Sequence, residues 1–390
     1  MKKLFAFLIT LITTTAMAQP IWTGTWATAP QWTSENNMPQ TALAGNSVRQ
    51  TVKVSLGGDV IRLQLSNEYT DEATEIKSVF IADAADSCDI LPKTARFLTF
   101  NGKRNVTMEA RKSVMSDPIK YRLRPLQRLS ITINYGAKGG RITSHPGSRT
   151  TSYIIKGEAK ARTSFAKAER TDHWFTISAI DVLSENDGCV AVIGNSITDG
   201  RGSTTNLQNR WTDAFAGSLA ANGHEIGVLN LGIGANCVLT DGVGEAAVKR
   251  FDRDVLQQRN VKCVVIFEGV NDIGGSNGNS ETVANALIDA YKDMATKAHA
   301  KGMKVICATI TPFNGHSYYT HFHEAARQTV NDWIRKSTDF DAIIDFDLLT
   351  RDADRPAFLD KSLQEDWLHL NPKGYEKMGK AAASVFEQMK

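Results

Sequence analysis

The hydrophobic rhythm of this chain changes near its midpoint, and that change limits the possible folds more than any other feature of the sequence. In the first half, apolar and polar residues alternate. Gln50–Leu56 reads Gln-Thr-Val-Lys-Val-Ser-Leu, and Val60–Leu65 reads Val-Ile-Arg-Leu-Gln-Leu. This is the pattern of strands with one buried face. The Gly57-Gly58-Asp59 break between them predicts a hairpin. Similar short runs recur at Val79–Ile81, Arg96–Phe100, Val106–Ala110, Ile119–Leu123, Leu129–Tyr135, Ser152–Ile155 and Trp174–Val182. Many short strands separated by turn residues predict an antiparallel, sandwich-like all-β unit.

The second half follows another rule. Val190-Ala191-Val192-Ile193 is continuously apolar, as suits a parallel strand buried on both faces. Cys263–Phe267, Val305–Ala308 and Ala342–Ile344 repeat the pattern, and helix-like stretches lie among them at Trp211–Ala221, Ser280–Lys301, His321–Ser337 and Pro372–Met389. The alternation predicts an α/β fold class, a three-layer α/β/α domain around a parallel sheet. Ligands of such sheets bind past the carboxyl ends of the strands. A chain of 390 residues is long for one core, so two domains are expected. The seam falls near Ser184-Glu185-Asn186-Asp187-Gly188, which divides the chain into 19–184 (β) and 185–390 (α/β).

Residues 1–18 read as an export signal. Lys2 and Lys3 supply positive charge, Leu4–Thr15 is apolar, and Ala16-Met17-Ala18 offers a small-x-small cleavage site before Gln19. The apolar run is too short to span a bilayer, and no other segment is apolar enough, so stable membrane insertion is not expected. A periplasmic or secreted protein is. The net charge of +3 falls close to neutral without that leader. The chain carries no basic stripe, which argues against nucleic-acid binding. The five cysteines, Cys88, Cys189, Cys237, Cys263 and Cys307, are an odd set. Three of them adjoin apolar runs, which favours free core thiols over a disulfide framework.

Ser196 follows the first parallel strand within Gly194-Asn195-Ser196-Ile197-Thr198-Asp199-Gly200. Gly194 allows a sharp turn, and Thr198 to Gly200 are expected to continue as a loop. Taken alone, such a turn suits a nucleophile, a structural turn or a phosphate site equally. The lipase-type G-x-S-x-G is absent, because position 198 is Thr. A serine hydroxyl needs a positioned base. His369 is the candidate, with Asp366 three residues earlier to orient it. Oxyanion donors are sought in the small-residue stretch Asn230–Asn236 and in Asn271 of Glu268–Gly275. Nucleotide binding is disfavoured, since neither G-x-G-x-x-G nor G-x-x-x-x-G-K occurs. His316, His321 and His323 border the expected site, but no carboxylate or Cys completes a metal set with them. His145, His173, His224 and His299 have no partner nearby in sequence and read as structural.

Taken together, these blocks resemble the GDSL/SGNH hydrolases over about Val190–Lys390. Ser196 matches the nucleophile, although the usual Gly-Asp-Ser-Leu is here Gly194-Asn195-Ser196-Ile197. Asn271 matches the family's asparagine, and Asp366 with His369 match its Asp-x-x-His. The family's oxyanion glycine aligns with Ala235, preceded by Gly234. Both stay candidates beside Ser196 and Asn271. The first half resembles a β domain found in some exported members, through Trp22–Pro30 and Ser66-Asn67. The resemblance implies a flavodoxin-like catalytic domain and a cofactor-free, metal-free serine esterase. For an exported member it points to a carbohydrate O-acetylesterase. A lipase, arylesterase or thioesterase would use the same residues. A third possibility is a binding module in which Trp22, Trp26 and Trp32 stack on sugar rings. On that view the β domain contacts carbohydrate.

Overall fold

A computed structural model describes residues 20–86, 88–138 and 141–389. The predicted export signal lies outside them. Among the described residues, no helix is long and apolar enough to cross a membrane.

The first half is antiparallel. One sheet runs Ile21–Ala27, Ile177–Ser184, Gly58–Ser66 and Ser113–Met115, with Ile119–Leu123 also paired to Gly58–Ser66. A second runs Glu169–Thr171, Ser152–Ile155, Ser47–Lys53, Arg128–Lys138, Thr74–Asp83 and Arg96–Phe97, with Val106–Met108 also on Thr74–Asp83. Val48, Val52, Ile131 and Ile133 of the second sheet and Ile61 and Leu63 of the first share one buried core. The sandwich therefore follows from the alternation in the sequence.

The predicted hairpin at Gly57-Gly58 does not form. Ser47–Lys53 and Gly58–Ser66 lie in different sheets. The chain crosses between them while Ser55 N–H donates to Thr25 O at 2.9 Å. A Cβ on Gly57 would stand 2.7 Å from Leu123 O, and one on Gly58 2.2 Å from Val182 Cγ2. Close approach, not a reverse turn, requires these glycines. Trp174–Val182 is likewise broken in two, at Thr176 with φ +67°. Trp174–Phe175 leaves to join Thr143–His145 and Gln31–Trp32 in a small third sheet.

The second half is the predicted three-layer domain. Its five parallel strands are, in chain order, Cys189–Gly194, Gly227–Gly232, Val261–Phe267, Lys304–Ala308 and Ala342–Ile344. In space the second lies outside the first, and the third, fourth and fifth follow on the other side. The strand order thus reverses beside Cys189–Gly194, at the crevice where such sheets bind ligands. Cys189, Ala191 and Ile193 pack toward helices Ser280–Ala300 and His321–Lys336, while Val190 and Val192 pack toward Trp211–Ala221 and Pro372–Gln388. The cysteine thiols are all free, and four of the five are buried.

The β domain covers the open edge of this sheet. Gly24 of Ile21–Ala27 packs against Leu229, and a Cβ on Gly227 would meet Gly24 O at 2.2 Å. Val228 N–H, which faces away from the sheet, donates to Ser55 Oγ at 2.9 Å. The exposed-edge hazard is thereby removed. Gly58→Ala would push a methyl group into Val182 inside the sandwich. It is expected to destabilise the protein by about 1–3 kcal/mol, read as a lower midpoint in urea unfolding followed by tryptophan fluorescence.

Candidate active site

Ser196 opens a one-turn helix, Ser196–Asp199, where a continued loop was expected. Asn195 caps it by accepting from Ile197 N–H at 3.0 Å. Gly194 is required, because a Cβ there would stand 2.2 Å from Thr198 Oγ1. The next strand end presses on the same turn: a Cβ on Gly232 would lie 2.4 Å from Asp199 N. Asn230 Nδ2 donates to Thr198 O at 2.7 Å. As the first residue of a helical turn, Ser196 keeps its N–H free of intrahelical bonding. Its side chain is not exposed on the sheet edge but 94% buried (6% exposed).

His369 Nε2 stands 2.8 Å from Ser196 Oγ, and His369 Nδ1 stands 2.7 Å from Asp366 Oδ2. The second oxygen of Asp366 accepts from the N–H groups of His369 at 2.7 Å and Leu368 at 3.1 Å. This compact turn depends on Trp367, whose φ is +64°. A left-handed non-glycine residue costs about 1 kcal/mol or more. Packing of Trp367 edge-on against Phe358, centroids 5.6 Å apart, helps hold it. Burial pushes the His369 pKa below its ordinary 6.5, overriding the upward pull of Asp366; Arg201 and His316 add to the lowering. Burial would raise the Asp366 pKa, but hydrogen bonds from the His369 backbone and imidazole outweigh it, and the pKa falls. The resting imidazole is therefore neutral, with Nδ1–H donating to the carboxylate and Nε2 open to the serine proton.

Gly234, Ala235 and Asn271 border the same cleft of about 340 Å³ as Ser196, Asp366 and His369. Asn271 Nδ2 donates to Asn236 O at 2.8 Å, and its Oδ1 accepts from Tyr318 OH at 3.2 Å. One amide N–H remains for a ligand. The positive φ in the small-residue loop falls on Ala235, at +55°. The conformation that favours glycine is thus kept with an alanine in place.

Several groups at the site were not read from the sequence. His145 was assigned no partner, yet its Nε2 stands 2.9 Å from Asp199 Oδ1 and its Nδ1 stands 2.9 Å from Ala29 O. The partner lies 54 residues away, in the other domain. The β domain also lends Gln31 and Pro146–Arg149 to the cleft. Tyr318 and His316 reach it from the loop before His321, whereas His323 is buried and its Nδ1 bonds Tyr318 O. No His/Cys/Asp/Glu group among the described residues could hold a metal ion.

Beneath the site lies Arg250, fully buried. It donates to Gly194 O at 3.2 Å, Leu231 O at 2.7 Å and Asn236 Oδ1 at 2.9 Å. Asp254 stands 3.2 Å from it and Glu268 3.5 Å. Burial drives the Glu268 pKa well up, against the pull of Arg250. Asp272 fixes the neighbouring loop by accepting from Val238 and Leu239 N–H, both at 2.9 Å.

Residues 192–377 match the GDSL-like lipase/acylhydrolase family. The matched segment contains Ser196, Asn271, Asp366 and His369. It coincides with the three-layer α/β/α domain and is similar to lipases and acylhydrolases, which are carboxylic ester hydrolases. Solved structures similar to this chain include a lipolytic protein of the G-D-S-L family from Desulfitobacterium hafniense, 24% identical, covering 50% of this chain and 98% of that one, TM-score 0.40. An acylhydrolase from Bacteroides fragilis is 19% identical, covering 53% and 90%, TM-score 0.40. A carbohydrate acetylesterase from Sinorhizobium meliloti is 16% identical, covering 52% and 99%, TM-score 0.40. No curated protein matches the chain.

Arg250→Met removes the group that ties the strand ends and leaves the carbonyls of Gly194 and Leu231 and Asn236 Oδ1 without that donor. It is expected to cost about 3 kcal/mol or more, measured as a lower urea midpoint. Esterase activity should be lost at denaturant concentrations where the parent protein remains active.

Proposed function

We propose that this acylhydrolase is an exported carbohydrate O-acetylesterase working by acyl transfer through Ser196. The observation that carries the reading is the unbroken Asp366–His369–Ser196 chain of hydrogen bonds at 2.7 and 2.8 Å, opening on a cleft edged with polar side chains.

In this mechanism Ser196 Oγ attacks the ester carbonyl while His369 Nε2 takes its proton. Asp366 holds the imidazole and stabilises the imidazolium that forms. The oxyanion is held by Ser196 N–H, the backbone at Gly234-Ala235 and the free Asn271 amide N–H. His369 then protonates the leaving alcohol, and the acetyl group stays on Ser196. Water, deprotonated by His369, releases acetate and restores the serine.

A short acyl group on a sugar suits the cleft better than a long chain. Its apolar edges are short side chains such as Ala235, Val243 and Leu368, and its remaining sides carry hydrogen-bonding groups. The β domain contributes to this binding by completing the cleft through Gln31 and the Pro146–Arg149 loop. Of the tryptophans, Trp26 is buried edge-on against Trp174, Trp22 lies under the Arg62 guanidinium, and Trp32 packs edge-on against Tyr69. Export, with cleavage near Ala18, follows from the leader sequence.

Ser196→Ala is expected to lower kcat on p-nitrophenyl acetate at least about 10³-fold, and Asn271→Ala about 10²- to 10³-fold. Along the acetate, butyrate and octanoate series, kcat/KM should fall. Turnover undiminished in Ser196→Ala would overturn the mechanism, and a preference for octanoate would overturn the acetylesterase assignment.

The pH profile has a definite sign. His369 acts as a base only when neutral, and its pKa is lowered from 6.5. On the acid side, kcat/KM should therefore rise with pH through an inflection below 6.5 and be flat by neutrality. A pH titration of p-nitrophenyl acetate hydrolysis checks this.

A further inference from the structure

Two guanidinium groups border the cleft without a carboxylate to neutralise them. Arg149 and Arg201 both line it, and neither side chain forms an ion pair or hydrogen bond among the described residues. Arg149 Nε is buried and has no hydrogen-bond partner, a costly state for a charged group. Arg201 is exposed at the cleft rim.

The backbone at both positions is fixed. Arg201 N–H donates to Ser196 O at 2.9 Å, and Arg201 O accepts from the buried Tyr375 hydroxyl. Arg149 sits at φ +49°, in a loop stitched to the catalytic domain. Arg210 donates to Ser148 O, Gln208 Nε2 to Thr150 Oγ1 at 2.7 Å, and Asn206 N–H to Arg149 O at 2.9 Å. A strained residue held this firmly beside a cleft marks a functional position.

The carboxylates that share the cleft are Asp366 and Asp199. Asp366 is engaged by His369. Asp199 faces His145, whose Nδ1 must donate to the Ala29 carbonyl. His145 Nε2 stands 2.9 Å from Asp199 Oδ1. Neither carboxylate pairs with Arg149 or Arg201, which leaves both guanidinium groups without an ion-pair partner among the described residues.

We propose that Arg149 and Arg201 form an anion subsite, and that the favoured substrate is an O-acetylated acidic sugar whose carboxylate they hold while its ester reaches Ser196. This rests on the Ser196 acyl-transfer reading above. Guanidinium groups suit a planar carboxylate. An anionic phospholipid would satisfy the same charges, but a cleft of about 340 Å³ with short apolar edges offers little room for its acyl chains. The reaction is unchanged: water adds across the ester, and acetate and the sugar hydroxyl leave.

The test compares an O-acetylated methyl galacturonoside with its C6 carboxamide, which has the same acetyl ester without the charge. Acetate release should favour the acid by about ten-fold or more in kcat/KM, mainly through KM, and added NaCl should shrink the difference. In the Arg149→Gln, Arg201→Gln double variant the ratio should fall to about one, with Arg149→Lys, Arg201→Lys retaining part of it. Equal rates on both sugars with the unmodified enzyme, while p-nitrophenyl acetate is cleaved in a Ser196-dependent way, would overturn the subsite and leave the esterase reading standing. The same holds if dioctanoyl phosphatidylglycerol is cleaved in preference to the acid sugar. An acid preference that survives in the double variant would overturn the assignment to these arginines. Failure to release acetate from any ester would overturn the esterase reading and the subsite with it.

Discussion

The buried Arg250 guanidinium is the contact on which the arrangement of the site depends. Parallel strands end in carbonyl groups that the sheet no longer satisfies, and a crevice at the point where strand order reverses leaves several of them together. Arg250 donates to the ends of the first two strands, Gly194 and Leu231, and to Asn236 in the loop beyond. Glu268, at the end of the third strand, stands opposite. The loops carrying Ser196, Ala235 and Asn271 therefore share one rigid base. Asp254, 3.2 Å away and equally buried, accompanies this deep cation.

The two domains meet in a way that makes one cleft out of both. The β domain first solves a general problem, covering the Gly227–Gly232 edge with Ile21–Ala27. The same docking brings Thr143–His145 against the Ser196–Asp199 turn, where His145 meets Asp199. A Cβ on Gly147 would overlap the Asp199 carboxylate at 1.8 Å, so the contact is tight enough to exclude every other residue. From there the chain passes directly into Arg149. Edge protection, support of the Ser196 turn and the far side of the cleft thus come from one interface.

Much of the catalytic half could be read in advance because its signals are local. Helix Trp211–Ala221 and strand Ala342–Ile344 begin and end where their periodicity predicts. Asp366 and His369 were recognisable because three residues separate them, and a single left-handed residue, Trp367, brings them together. The Gly57-Gly58 break was misread because a glycine pair serves turns and close packing alike, and only the neighbours Leu123 and Val182 show which applies. Trp174–Val182 looked continuous because Thr176, a β-branched residue, gives no sign of adopting φ +67°.

The sequence by itself determined the two fold classes, the order of the parallel elements, and Ser196, Asn271, Asp366 and His369 as the residues to watch. Periodicity and short spacing are properties of the chain, and burial acts on them in a predictable way. Tertiary structure alone decided that Arg250 joins the strand ends, that His145 belongs to Asp199, and that Arg149 and Arg201 share a cleft. Those residues lie 14 to 56 positions apart. Such partners are chosen by how two cores dock, which no local pattern encodes.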